Sequence, residues 1–188
     1  MSPTGRRPRA DARRNYDRLL AEADAVFREQ GTGASLEGVA RRAGVAIGTL
    51  YGHFPNRRAL VGALLRERND ELFDAGEALF AESPVVALRD WVDLVVAHAA
   101  TYQGLAALLA DGVDDEASEL HASCVRMAGI GERLVARAIE AGVVRPDVTG
   151  ADVFTLMNAG AWTREHASVE QATRLVAFTL DGLLTSNR

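Results

Sequence analysis

Apolar residues recur along most of this chain at intervals of three and four, a spacing that predicts helices almost throughout. Tyr16, Leu19, Leu20, Ala23, Val26 and Phe27 stripe one face of a helix over about 10–30, which Gly31 and Gly33 end. Between 35 and 54 the stripes shorten. Leu36, Val39 and Ala40 mark a helix opened by Ser35, whose hydroxyl can accept from a first-turn amide. Gly44 closes it, because glycine tolerates the left-handed conformation that ends a helix. Val45, Leu50 and Phe54 mark a second short helix, which Pro55 stops. Two helices this short bury too little to stand alone and must dock on the helix over 10–30. A long helix follows over about 57–80, with Asn56 placed to cap it. Leu60, Val61, Leu64 and Leu65 lie near its start, and Leu72, Phe73, Leu79 and Phe80 two or more turns on, so one helix touches both halves of the chain. Further stripes predict helices over about 84–102, 105–110, 115–141, 150–162 and 169–184. The expected architecture is all-α, with about nine helices. A three-helix helix-turn-helix domain over 1–56 precedes a larger helical domain over 57–188.

Composition narrows the setting. Hydrophobic residues make up 48% of 188, ample for a core, and the single cysteine, Cys124, excludes a disulfide within the chain. No apolar run approaches 18 residues, so no membrane partner is expected. The arginine-rich start lacks the apolar stretch of a signal peptide, which points to a cytoplasmic protein. The net charge of −5 argues against nucleic acid, but its distribution reverses that. Residues 1–60 hold 11 Arg against 6 carboxylates, and residues 61–188 hold 10 Arg against 20. A basic head on an acidic body suits a domain that reads DNA. Residues 1–9, with two prolines and three arginines, are expected to be disordered and able to enter a minor groove. Arg13 and Arg14 are placed to reach phosphates. So is the start of the long helix beside Arg57 and Arg58.

The outward face of the second short helix carries Ile47, Gly48, Thr49, Tyr51, Gly52 and His53. Each glycine costs about 1 kcal/mol relative to Ala, and close approach of the backbone to a large partner gives a reason to keep both. Thr49 and Tyr51 offer hydroxyls to phosphates, and Thr49 or Ile47 can pack on a thymine methyl. No Gly-rich phosphate loop, nucleophile elbow or HExxH is present, so neither an enzyme nor a cofactor is expected. His121, Cys124 and His98 lack the company of a second cysteine, and no metal site is expected.

The segment AGVAIGTLYGHFPNRRALVGALL resembles the recognition segment of TetR-family transcriptional regulators. Gly44, Val45, Thr49, Leu50, Tyr51, His53, Phe54 and Arg57 match the family pattern, and the likeness is specific over about 19–65. It implies a homodimeric repressor whose C-terminal domain senses a small molecule and releases a palindromic, double-stranded operator. The set expected to face DNA is Ser35, Ala46, Ile47, Gly48, Thr49, Tyr51, Gly52, His53 and Arg57. At Ala46, Ile47 and Gly52 relatives often carry polar or basic residues, which shifts the expected readout towards DNA shape or the N-terminal arm. Polar tips on apolar walls single out Trp91, His98, Tyr102, Cys124, Met127, Asn158 and Trp162 for an unknown small-molecule ligand, with His121 and Phe154 beside them. By the same resemblance the last two helices pair with their twins through Val153, Met157, Gly160, Leu175, Phe178 and Gly182. The alternative is a helical architectural or adaptor protein that binds DNA without a ligand.

Overall fold

The computed structural model describes residues 7–110 and 119–185. Nine helices are found among the described residues. They are α1 (Arg7–Gln30), α2 (Leu36–Arg42), α3 (Ile47–His53), α4 (Arg57–Ala78), α5 (Pro84–Ala99), α6 (Leu105–Ala110), α7 (Glu119–Glu140), α8 (Gly150–His166) and α9 (Val169–Leu183). One 3-10 turn, Leu79–Ala81, extends α4. Their ends follow local chemistry. The Ser35 hydroxyl accepts from the Gly38 amide at 3.3 Å, and Asn56 Oδ1 from the Ala59 amide at 2.8 Å. Thr149 and Asp152 cap α8 reciprocally, as a capping box. Gly44, at φ 66°, turns α2 into α3.

Three boundaries differ from expectation, and at one of them helix α8 runs on to His166, four residues past 162. Helix α1 begins at Arg7, three residues before 10, with Pro8 inside its first turn. Proline is tolerated there because first-turn amides have no partner within the helix. The rest of the expected arginine arm, and most of the acidic run over 111–119, lie outside the described residues. Helix α5 ends at Ala99, so Tyr102 sits in the turn before α6 rather than on a helix.

Two apolar clusters organise the molecule. One packs Leu19, Phe27, Leu50 and Phe54 of the head against Leu60 and Leu65 of α4, and extends to Tyr102, Leu105, Leu120 and Ala161. The core of the head therefore crosses the boundary expected at 56/57. The second cluster, around Phe73, Trp91, Met127, Leu134 and Met157, fills the body. Helix α4 contributes to both clusters, and Cys124 touches both.

A second link joins head and body at the turn 100–104. Thr32 N donates to Gln103 O at 2.7 Å, and Thr32 Oγ1 to the same carbonyl at 3.2 Å. Gly31 sits below it at φ 77°, where an added Cβ would lie 2.8 Å from Gln103 O, so only glycine fits. Tyr102 Oη donates to Asp24 Oδ1 at 2.5 Å. Glu165 of α8 accepts from the Gly104 amide at 2.8 Å. The turn thus connects α1, the α1–α2 loop and α8.

Candidate nucleic-acid interface and internal polar layer

Helix α3 divides by its own periodicity. Leu50 and Phe54 are buried against α1, where Tyr16 lies 5.1 Å from the Phe54 ring. Tyr51 on the opposite face is 45% exposed. Gly48 and Gly52 are also exposed, and a Cβ on either would meet nothing within 4 Å. No packing inside the chain therefore requires these glycines. Ala46 and the partly exposed Ile47 and Thr49 complete the face. His53 packs edge-on to Tyr16 at 5.8 Å and lines a cleft of about 370 Å³ with Ala12, Arg13, Tyr16 and Arg66.

The basic residues around this face behave differently from expectation. Arg57 turns inward: its Nη1 donates to the carbonyls of Thr32 and Ala34, the latter at 2.6 Å, and so holds the α1–α2 loop. Arg58 donates to Leu108 O at 3.1 Å. Neither guanidinium is presented as a phosphate clamp at the start of α4. Arg42 bridges to Glu22 and Glu29 of α1 at 3.1 and 2.8 Å. Arg13 and Arg14 pair along α1 with Asp17 and Asp11. The Ser35 hydroxyl, besides capping α2, donates to Glu37 at 2.7 Å, and the bond holds that carboxyl below its usual range.

The residues expected to line one small-molecule site are spread over four environments. Trp91 is fully buried in the body, wedged between Gly76 and Gly131, and its Nε1 has no acceptor. Tyr102 belongs to the link between head and body. Burial, aided by the Asp24 hydrogen bond, pushes its hydroxyl pKa up to about 12, while Arg28 holds Asp24 below the carboxylate range. Trp162 is 55% exposed on α8, stacked on His166 at 4.3 Å, and lines no interior. Met127 is buried in the body, and Phe154, Asn158 and His121 are partly exposed.

His98 and Cys124 meet a feature that sequence reasoning missed. Helix α7 runs parallel to α4: Arg66 pairs with Glu119, Asn69 with Ser123, and Gly76 abuts Ile130. Helix α5 runs the other way, with Trp91 against Gly76 and Gly131 and His98, further on, near Arg68, earlier on α4. Two turns back from Gly76 is Asn69, and two turns on from Trp91 is His98. Asn69, His98, Ser123 and Cys124 therefore share one level of the α4–α5–α7 bundle, where the two apolar clusters meet. Asn69 Oδ1 and His98 Nε2 are both buried without a partner. Burial, with Arg68 nearby, lowers the His98 pKa to about 4, and burial raises that of Cys124. A signal for Asn69 was present. It sits on the inward stripe of α4, four residues after Leu65 and three before Leu72.

The faces of α8 and α9 also sort differently from expectation. Val153 and Met157 are buried in the protomer's own body. Gly160 is interior too: a Cβ there would lie 2.8 Å from Val176 and 3.0 Å from Val96. Leu175 and Phe178 face outward, 44% and 69% exposed, and Gly182 is open on the same side of α9.

Comparison with known proteins agrees with this arrangement. Residues 19–64 match the model of bacterial regulatory proteins of the tetR family. Residues 83–185, more than half of the chain, match the C-terminal domain of SbtR-like transcriptional regulators of the same family. The chain belongs to the TetR family. It is a transcriptional regulator with an N-terminal DNA-binding domain. Among solved structures, this TetR-family chain is similar to the TetR transcriptional regulator SCO0520 of Streptomyces coelicolor. That match is 35% identical over 91% of this chain and 99% of the other, with a TM-score of 0.60. It is likewise 35% identical to a TetR regulatory protein of Mycobacterium vanbaalenii, over 94% and 99% of the two chains, with a TM-score of 0.54. A curated relative, the HTH-type transcriptional regulator SAR0097 of Staphylococcus aureus, is 29% identical over 99 residues. That match spans about half of each protein, 51% of both. No described helix is long and apolar enough to cross a membrane.

Proposed function

We propose that this TetR-family regulator is a homodimeric repressor, released from a palindromic operator by a small molecule that occupies the polar layer. The observation that carries the DNA half is the outer face of α3. It presents Tyr51 beside two glycines for which the chain itself has no packing use, and bare backbone lets a helix approach a groove closely. Readout by shape and phosphate contact suits a face poor in side chains that pair with base edges. Tyr51→Ala is expected to weaken binding to the DNA flanking the protein's own gene at least tenfold, about 1.4 kcal/mol. Fluorescence anisotropy at low and moderate salt, with unrelated DNA as competitor, measures this. Equal, weak binding by wild type and variant, seen only at low salt, would sink the reading.

The dimer half rests on Leu175 and Phe178, whose exposure leaves an apolar stripe on α9 beside Trp162 on α8. Large exposed apolar side chains grouped on adjacent helices suit burial by a second copy. Phe178→Glu touches no residue of the core. It is expected to convert a particle of twice 20.1 kDa into one of 20.1 kDa with an unchanged helical circular-dichroism spectrum. Light scattering coupled to size exclusion reads the mass, and a variant that stays dimeric would move the interface elsewhere.

The mechanism is a population shift. Helix α4 packs in both apolar clusters, and the turn 100–104 grips the α1–α2 loop, so the head follows the body at two points. A ligand that binds one arrangement of α4, α5 and α7 more tightly than another changes the separation of the two α3 helices in the dimer. Its effect on DNA affinity cannot exceed that differential affinity.

A further inference from the structure

The internal layer selects by chemistry as well as by shape. Asn69 is only 3% exposed. Its Nδ2 donates to Ser123 Oγ at 2.9 Å, and that hydroxyl donates onward to Glu119 O at 3.0 Å. The second bond makes Ser123 an acceptor towards Asn69, which fixes the amide: nitrogen towards α7, Oδ1 left without a donor. Across the layer, His98 Nε2 also lacks a partner. An orphaned buried polar atom is disfavoured, and here two occur at one level of an otherwise apolar bundle. Leu65, Leu120 and Ala99 lie on one side of the layer, and Leu72, Phe73, Met127 and Val95 on the other. The layer also has a mouth. A groove of about 200 Å³ between α4 and α7, with Asn69, Phe73 and Ser123 in its lining, opens between Arg66, Arg126, Asp70 and Glu119, two cations balanced by two carboxylates.

We infer that the effector is an uncharged, largely apolar molecule with a hydroxyl group, which enters between α4 and α7 and sets that hydroxyl between Asn69 Oδ1 and His98 Nε2. The inference rests on the effector-release reading above and adds the ligand's chemical class. A hydroxyl both donates and accepts, so it can donate to Asn69 Oδ1 and accept from a His98 ring carrying its proton on Nε2. A carboxylate has no proton to give Asn69 and would set its charge against a carbonyl oxygen. An ammonium would lose its hydration in an apolar bundle and, having no acceptor capacity, would leave His98 Nε2–H unpaired. An ether of the same size fills the same volume and leaves Asn69 unsatisfied.

The test titrates the full-length protein with 1-octanol, heptyl methyl ether, octanoate and octylammonium by calorimetry. The alcohol and the ether have the same number of heavy atoms and differ in the donor. The expected result is octanol binding at least tenfold tighter than the other three. In Asn69→Leu the alcohol-to-ether ratio falls towards one while the ether still binds, which shows that the variant is folded. Tighter binding of octanoate or octylammonium, an unchanged ratio in Asn69→Leu, or no binding of octanol overturns the inference. The DNA anisotropy assay separates this from the broader reading. If a charged compound releases DNA, the effector reading stands and the hydroxyl class falls. If octanol binds without shifting DNA affinity, the class stands and release does not.

Discussion

Replacing Gly76 with valine will destabilise the protein by about 3 kcal/mol and lower its melting temperature by roughly 6–12 °C. A Cβ at Gly76 would lie 2.5 Å from Trp91 Cζ3, 3.0 Å from Cε3 and 3.2 Å from Ile130 Cγ2. The indole cannot retreat. It is fully buried, and on its other side a Cβ at Gly131 would already lie 3.1 Å from Nε1. Interiors packed at crystal-like density accommodate such an intrusion only by moving whole helices. The better helix propensity of valine offsets the strain by well under 1 kcal/mol. Gly129→Ala supplies the control, because a Cβ there meets nothing within 4 Å and propensity alone should act, stabilising by up to about 1 kcal/mol. Adding Trp91→Phe to Gly76→Val should recover part of the loss, since the smaller ring makes room and removes the unpaired indole N–H. Thermal melts of the four proteins decide the matter. A Gly76→Val melt indistinguishable from wild type would mean that Trp91 does not lock α4, α5 and α7 together.

How far the sequence foretold this molecule depends on whether a residue's fate is set by its own helix or by a neighbour. The helices and their caps are local properties, and Ser35, Asn56, Thr149 and Ser168 cap α2, α4, α8 and α9 as their chemistry suggests. The α3 face was legible for the same reason: Leu50 and Phe54 fix which side is inward, and Tyr51 must then point out. Arg57 was not legible, because its acceptors are loop carbonyls at 32 and 34 that only the finished fold brings near. Helix α8 shows the commonest failure. It has apolar residues on more than one face, so periodicity could not say that Val153, Met157 and Gly160 serve the protomer while Trp162 looks outward. For Tyr102 the apolar spacing predicts a helix and a pocket wall. The left-handed Gly104, at φ 79°, accompanies a turn that carries it instead to Asp24.

His98 will make the protein measurably less stable between pH 7 and pH 5. Its pKa is near 4 in the folded chain and near 6.5 once unfolding returns the ring to water. Above 6.5 neither state binds the proton, so the ring contributes nothing to pH dependence. As the pH falls below 6.5 the unfolded state takes up a proton that the folded state refuses, and stability declines until the folded pKa is reached. At about 1.4 kcal/mol per pH unit the loss is about 2 kcal/mol at pH 5 and about 3 kcal/mol by pH 4. The lowered carboxylates act elsewhere. Glu77 beside Arg133, Asp147 beside Arg145 and Asp152 in its capping box lose their contribution only below the ordinary carboxylate range. His98→Leu isolates the effect, since it removes the titrating ring and the unpaired Nε2 together. Urea titrations of both proteins at pH 7, 6 and 5 should show wild type falling away while the variant stays nearly level over that interval. Parallel lines would mean that the ring reaches water in the folded state.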